Sequence, residues 1–136
     1  MNIAFFLTPK SELVYETDNA TMRQVLERME HHGYTAIPII DNKGRYIGTL
    51  TEGDLLWKMK NTEGLSFENT NKILIKDIKR RRLHKVISIN SDINSIITLA
   101  IGQNFVPVVD DEGIFIGIIK RSDIIDYCYK LISKEK

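Results

Sequence analysis

The sequence contains little cysteine and no long apolar run. Its single cysteine, Cys128, excludes an internal disulfide and any cysteine-rich metal site, and is typical of a reducing compartment. No stretch approaches the roughly 20 apolar residues that a membrane-spanning helix needs. The first ten residues lack the basic region and the long apolar core of a signal peptide. We therefore expect a cytoplasmic protein that does not associate with membranes.

The sequence also lacks a charge imbalance and the motifs of common enzymes. Its 19 Lys and Arg residues against 18 Asp and Glu residues leave a net charge of +1, which argues against a uniformly basic nucleic-acid binder. It contains no His-Glu-x-x-His, no Cys-x-x-Cys, no Gly-x-x-x-x-Gly-Lys and no glycine-rich dinucleotide fingerprint. We expect neither catalysis, nor a metal, nor a tightly bound cofactor.

Isoleucine, by contrast, is abundant. The chain of 136 residues contains 21 isoleucines, and side chains branched at Cβ favour β-strands because they pack well on a pleated surface. At about 100–200 residues per domain, this length allows one ordinary domain or two very small ones that share a core.

The chain is built from an internal repeat. The segment Pro38–Asp41 recurs 69 positions later as Pro107–Asp110. At the same offset, Gly44, Ile47, Gly48 and Asp54 recur as Gly113, Ile116, Gly117 and Asp123. Upstream the offset becomes about 72, so that Val14 falls near Val86.

Each copy predicts a strand, a helix, two strands and a second helix. In the first copy, apolar residues at helical spacing follow Thr21, which can form a capping box with Gln24, and Gly33 can end the helix. Two β-branched runs, 37–40 and 46–50, flank a turn-forming cluster. The second copy predicts a helix with Ile93, Ile96, Ile97 and Ile101 on one face, strands over 106–109 and 115–119, and a last helix from about Ser122.

A repeat of about 55 residues buries only some 60% of its unfolded surface. We therefore predict an α/β (α+β) fold of two tandem β-α-β-β-α repeats, packed sheet to sheet about a pseudo-twofold axis. Such packing leaves two related clefts where strand ends meet helix starts, a favoured position for ligands.

The two copies resemble a tandem pair of CBS domains, known as a Bateman module. The resemblance rests on the strand Gly33–Pro38, with small residues and a proline, and on Gly48–Asp54, which matches a Gly-apolar-x-Ser/Thr-x-x-Asp pattern. It places the first repeat at 5–60, a connector at 61–74 and the second repeat at 75–132. The hexapeptide Gly33–Pro38 is similar to that of small stand-alone CBS-pair proteins of Gram-positive bacteria, some of which bind cyclic di-AMP.

The resemblance implies regulatory binding of an adenosine compound such as AMP, ATP, S-adenosylmethionine or cyclic di-AMP, together with a flat homodimer. Asp54 can accept hydrogen bonds from both ribose hydroxyls, which is its role in the family motif, and Thr51 can meet a phosphate at the helix N-terminus. The same two residues are also a suitable capping box. Both interpretations remain open from the sequence.

The start of the strand in Gly33–Pro38 can bind the base of the nucleotide. Tyr34 offers an aromatic face, Thr35 a hydroxyl, and Ala36 a small side chain that lets adenine approach, although Tyr34 can equally serve as a half-buried packing residue. The family places a residue such as Val14 against the base, and a valine there is also an ordinary core residue. The predicted ligand-binding set is Val14, Tyr34, Thr35, Ala36, Pro38, Thr51, Asp54, Lys120 and Arg121.

The second copy departs from the motif because Lys120 stands where Thr51 stands in the first. We expect Lys120 and Arg121 to reach the phosphate of the first site; alternatives are a phosphate contact in the second cleft or a solvated pair. Phe105 replaces Ala36 and would either crowd an adenine or stack on it. The candidate residues of the second cleft are Arg82, His84, Phe105, Val106 and Asp123.

A basic run lies between the copies. Residues 72–85 carry seven Lys or Arg side chains against one acid, a net charge of +6. Arg82 or His84 could serve phosphates in the second cleft; otherwise the run docks an acidic partner or RNA, or is a solvated connector. We expect a nucleotide sensor that signals to a partner protein in trans, with nucleic acid not its partner. The alternative is a ligand-independent dimeric scaffold that docks through the basic run.

Overall fold

A computed structural model describes residues 2–80 and 83–134. Within these ranges the chain forms seven strands and four α-helices, together with short 3₁₀ segments. The strands are β1 (Leu7–Pro9), β2 (Glu16–Thr17), β3 (Ala36–Ile40), β4 (Tyr46–Thr51), β5 (Ile87–Ser88), β6 (Phe105–Val109) and β7 (Phe115–Lys120). The helices are α1 (Met22–His32), α2 (Glu52–Asn61), α3 (Ile93–Gly102) and α4 (Arg121–Lys134). This mixed α/β composition confirms the predicted fold class.

The start and the end of α1 follow from local sequence signals. The backbone N–H of Gln24 donates to the Thr21 hydroxyl at 3.2 Å, and the N–H of Thr21 donates to the Gln24 side chain at 2.8 Å. Gly33 ends the helix with a φ of 68°, a left-handed conformation that glycine adopts without a Cβ clash. The capping box and the glycine stop predicted from the sequence are therefore confirmed.

The chain divides into two compact units that do not coincide with the first and second halves of the sequence. The first-repeat unit is Val14–Leu83, and the second-repeat unit combines Met1–Leu13 with His84–Lys136. The repeat boundaries at 5–60 and 75–132 come from sequence similarity and remain predictions. Spatial contacts between residues place the N-terminal segment Met1–Leu13 with the second repeat and not with the first.

In the first-repeat unit, the sheet has the order β2-β3-β4, with β2 parallel and β4 antiparallel to β3. Its core packs α1 and α2 against one face of this sheet. The buried members of the core are Ala20, Met22, Val25, Met29, Ile37, Ile39, Leu50, Leu55, Ile75 and Ile78. The packing fixes the start of β3 beside the end of β4, where the candidate site lies.

In the second-repeat unit, the sheet has the order β1-β7-β6-β5. Strand β1 pairs antiparallel with β7, with Leu7 opposite Ile119 and Pro9 opposite Gly117. The core contains Ile3 and the buried faces of α3 and α4. On α4, Ile124 is buried as its spacing predicts, whereas Ile125 and Ile132 are exposed.

Each unit is completed by the segment that precedes the other repeat. Ile3 lies in the 3₁₀ segment Ile3–Phe6 and is buried in the second-repeat unit. Ile75, 72 positions later, lies in the 3₁₀ segment Ile75–Asp77 and is buried in the first-repeat unit. This segment is held there because the N–H of Ile75 donates to the carbonyl of Ala20 at 2.9 Å.

Arg80 packs against β4 and is not a solvated member of the basic run. Its Nη2 donates to the Ile47 carbonyl at 3.3 Å. A Cβ built on Gly48 would lie 2.6 Å from the Arg80 Nε, so the guanidinium occupies the space that this glycine leaves open. Lys72, Lys76 and Lys79 are exposed. Arg81 and Arg82 lie outside the described residues.

Tyr46, at the start of β4, has a perturbed hydroxyl. Burial raises its pKa to about 12, against smaller lowering effects of the Thr49 hydroxyl and the Arg80 charge. The hydroxyls of Tyr46 and Thr49 are hydrogen-bonded at 2.6 Å, and Thr49 is buried. Below pH 10 the phenol is therefore neutral and serves as a structural group.

Candidate functional site

The start of β3 and the N-terminus of α2 lie side by side in the first-repeat unit. Ala36 pairs with Thr51 in the antiparallel ladder. The N–H of Glu52, the first residue of α2, donates to the Thr35 carbonyl at 3.0 Å. The structure thus brings together four of the predicted ligand residues, Thr35, Ala36, Thr51 and Asp54, which we call the first site.

Thr51 and Asp54 form a reciprocal capping box. The Thr51 N–H donates to Oδ2 of Asp54 at 2.9 Å, and the Asp54 N–H donates to the Thr51 hydroxyl at 3.2 Å. The Asp54 side chain is 3% exposed. The capping interpretation is therefore realised in the structure. Contact between this carboxylate and a ribose requires the residues that cover it to move.

The side chains at the start of β3 differ in accessibility. Thr35 is exposed, Ala36 is half-buried and Pro38 is buried. Tyr34 lines an open groove of about 520 Å³ with Glu30 and Glu52. A ligand at the first site would therefore contact Thr35 and Ala36 before Pro38.

Two members of the predicted set also have packing roles. Val14 packs against the hydrophobic core of the first-repeat unit. The Tyr34 ring lies 5.6 Å from the ring of His32. Their contacts with a ligand remain predictions.

Gly53, in the first turn of α2, was not singled out from the sequence. A Cβ at this position would lie 3.7 Å from the Thr51 hydroxyl and 4.0 Å from Trp57, which are ordinary contact distances. Packing therefore does not require glycine here. Its absent side chain leaves the first turn open to an approaching anion, and the Gly-Asp pair that ends the motif was the available signal.

The equivalent position in the second-repeat unit has the same backbone and different side chains. Phe105 pairs with Lys120, and the N–H of Arg121 donates to the Asn104 carbonyl at 2.9 Å, as Glu52 does to Thr35. Lys120 and Asp123 are both exposed. The acid that is buried in the first site is thus open to solvent in the second.

Arg121 is engaged at the end of α3. Its Nε donates to the carbonyls of Ala100 at 2.8 Å and Gln103 at 3.1 Å, where a cation meets the negative end of a helix dipole. The predicted contact of Lys120 and Arg121 with a phosphate at the first site stays a prediction. For the Arg121 Nε, it would require these two bonds to break.

Two of the remaining candidates of the second cleft, Phe105 and Val106, begin β6. His84 and Phe105 have stacked rings with centroids 5.9 Å apart. Val106 is fully buried in the core of the second-repeat unit, and its contact with a ligand stays a prediction. Arg82 lies outside the described residues. Whether Phe105 crowds an adenine or stacks on it stays a prediction; in the structure its ring neighbour is His84.

Two kinds of feature are absent from residues 2–80 and 83–134. There is no group of three or more His, Cys, Asp or Glu side chains placed to hold a metal ion. None of the helices in these ranges combines the length and the apolar character that crossing a membrane demands.

Comparison with known proteins gives a consistent family match. A family model described as CBS domain matches residues 7–61 and again residues 75–130. A curated relative, an uncharacterised protein of Methanopyrus kandleri, is 27% identical over 120 residues, which cover 85% of this chain and 58% of that protein. The cyclic di-AMP receptor B of Bacillus subtilis is 26% identical over 121 residues, covering 84% of this chain and 82% of the receptor.

Solved structures share the fold. The Listeria monocytogenes CbpB protein in complex with c-di-AMP superposes with a TM-score of 0.84 at 19% identity, covering 98% of both chains. The CBS-pair protein CBSX2 in complex with AMP, from Arabidopsis thaliana, superposes with a TM-score of 0.76 at 21% identity, covering 96% of this chain and 97% of that one. At these identities the likeness concerns the fold.

Proposed function

Since the chain belongs to the CBS-domain family and carries the domain twice in tandem, we propose that it binds an adenine nucleotide at the first site and thereby regulates a partner protein. The observation that carries this proposal is the adjacency of Thr35 and Ala36 to the N-terminus of α2. Two relatives with this fold were solved with an adenine nucleotide bound. Binding, and not catalysis, is the activity proposed.

The first site offers a distinct group to each part of a nucleotide. The half-buried Ala36 leaves room for a purine beside the strand, with backbone groups at its edge. The first turn of α2, open at Gly53, favours a phosphate through its N–H groups and the helix dipole. Asp54 supplies the acceptor for the ribose hydroxyls. A carboxylate has about four lone-pair positions, so capping Thr51 does not exhaust its capacity.

The burial of Asp54 couples binding to a change in structure. Its side chain is 3% exposed, so a ribose reaches it only when the covering residues move. A ligand shifts a conformational equilibrium by its difference in affinity for the two states. The same difference, by linkage, alters the affinity for a partner that prefers one state. This coupling is how binding at the first site would signal in trans.

A panel of nucleotides tests the proposal. We expect AMP, ADP, ATP, cyclic di-AMP or S-adenosylmethionine to raise the unfolding temperature, and GTP to leave it unchanged. A ligand at 100 times its Kd adds about 2.7 kcal/mol, which shifts the midpoint of a domain this size by several degrees. Thermal unfolding of protein shown to be free of carried-over nucleotide is the measurement. If none of the five adenine compounds shifts the midpoint, the proposal is wrong.

We also propose that the chain forms a homodimer through the outer faces of α3 and α4. An apolar groove of about 420 Å³ runs between these helices. Ile101 is 80% exposed and Tyr129 is 67% exposed, and contiguous apolar patches of this kind mark interaction surfaces. The proposal agrees with the homodimer that the family resemblance implies.

The expected dimer can be measured by sedimentation velocity. Wild-type protein should sediment as a dimer, and Ile125→Glu should sediment as a folded monomer because this exposed position contributes little to the core of its own chain. Lys130→Glu, five residues further along α4, is a control that changes charge outside the apolar groove and removes only an exposed ion pair with Asp126. A wild-type monomer at high concentration would contradict the proposal.

A further inference from the structure

The two repeats differ most at the position where the proposed base would lie. Ala36 in β3 is half-buried, whereas Phe105, its equivalent in β6, is 8% exposed. The two positions share their strand pairing, since each residue pairs with the last residue of the next strand. In both repeats the first N–H of the following helix donates to the carbonyl of the residue just before the strand. The side chains differ, and so do the preceding helix ends, because Gly33 ends α1 in a left-handed conformation and Gln103 ends α3 in an extended one.

A second ring covers Phe105. The His84 imidazole lies 5.9 Å from the Phe105 ring, centroid to centroid, with the ring planes inclined by 27°. Offset stacking at this separation is the arrangement that flat aromatic groups prefer. An adenine stacked on this face of Phe105 would have to displace the His84 ring.

Gln103 fixes the segment that carries His84. Its side-chain oxygen accepts from the N–H of Lys85 at 2.8 Å, and its side-chain nitrogen donates to the Lys85 carbonyl at 3.1 Å and to the Phe105 carbonyl at 3.2 Å. One amide thus ties the backbone next to His84 to the start of β6. The first repeat has Tyr34 at the position of Gln103, and a tyrosine side chain cannot make this double bridge.

We propose that His84 fills the base position of the second repeat, so that the chain binds nucleotide at the first site alone. His84 and Phe105 then determine which of two equivalent positions accepts the ligand. This inference rests on the proposed nucleotide binding and assigns His84 a role opposite to a phosphate contact.

Binding stoichiometry tests the inference. Isothermal titration with AMP, and in parallel with cyclic di-AMP, should give one occupied site per chain for the wild type. The double variant His84→Ala/Phe105→Ala restores a small residue where Ala36 lies in the first repeat, and its number of ligands bound per chain should double. His84→Ala alone keeps the buried Phe105 ring and should also gain a second, weaker site.

Two control variants test whether a gain in stoichiometry comes from removing the ring that covers Phe105 and not from the loss of a histidine as such. His31→Ala removes an exposed imidazole at the end of α1 and should keep the wild-type stoichiometry. His84→Phe retains a stacked ring and should also keep it.

Each outcome decides the inference. Two sites in the wild type, or an unchanged stoichiometry in both His84→Ala variants while the wild type binds one ligand, overturns it and leaves the proposed function standing. A loss of binding in His84→Ala would make His84 a ligand contact and would also overturn it. Absence of binding in the wild type and in every variant removes the proposed function and this inference together.

Discussion

Replacing Gly117 by alanine is expected to cause the largest loss of stability of any single methyl addition in β4 or β7. A Cβ at this position would lie 2.3 Å from the backbone oxygen of Thr8 and 2.9 Å from Cδ1 of Leu7. The obstacle is the backbone of β1, which is held in register with β7. Overpacking of this kind costs about 1–3 kcal/mol, and detachment of β1 adds to it.

The Gly117→Ala prediction has a matched control at Gly48. A Cβ there would meet Nε and Cζ of Arg80 at 2.6 and 2.7 Å, and these atoms belong to the end of a flexible side chain that can swing aside. We expect thermal unfolding of Gly117→Ala about 10 °C below the wild type, and a much smaller decrease for Gly48→Ala. The double variant Gly48→Ala/Arg80→Ala should recover stability relative to Gly48→Ala. Equal losses in the two single variants would contradict this explanation.

The second large effect is expected at Asp54. Asp54→Ala removes the proposed acceptor for both ribose hydroxyls. We expect nucleotide affinity to fall by about 100-fold or more, because hydrogen bonds to a charged group contribute about 1.5–3 kcal/mol each. The same substitution removes the bond from the Thr51 N–H, so helix α2 should also lose about 1 kcal/mol of capping energy. Isothermal titration and thermal unfolding measure the two effects on the same sample.

Asparagine separates the two roles of Asp54. Asp54→Asn keeps a side-chain oxygen that can accept from the Thr51 N–H, and should retain most of the stability while binding nucleotide more weakly than the wild type. Asp123→Ala, at the equivalent exposed position of the second repeat, should change neither quantity. Normal binding by Asp54→Ala would show that Asp54 serves only as a capping residue.

The sequence predicts those features that local signals determine. The capping box of Thr21 with Gln24, the glycine stop at Gly33 and the hairpin turns are all specified within a few residues. In both turns an aspartate accepts from the N–H groups two and four residues later, as Asp41 does from Lys43 and Arg45. Patterns of this kind can be predicted from the sequence without any tertiary information.

Long-range features are not predictable in the same way. The pairing of β1 with β7 joins residues that are far apart in the chain and have no local signal. The recurrence of Ile3 as Ile75, 72 positions later, is a sequence feature that relates the segments preceding the two repeats. The position of Arg80 against β4 is not predictable from the basic run, because charge alone does not reveal that Gly48 leaves room for a guanidinium. The residues of the first site follow from the motif, but the burial of Asp54 depends on tertiary packing.

Because β1 pairs with β7, loss of the N-terminal residues would affect the sheet of the second-repeat unit. Strand β1 is the outermost strand of the second-repeat sheet. Without it, β7 would present a row of unpaired N–H and C=O groups, the kind of open edge that recruits strands from other chains. The short N-terminal strand β1 therefore opposes aggregation by covering the edge of β7, which belongs to the repeat at the other end of the sequence.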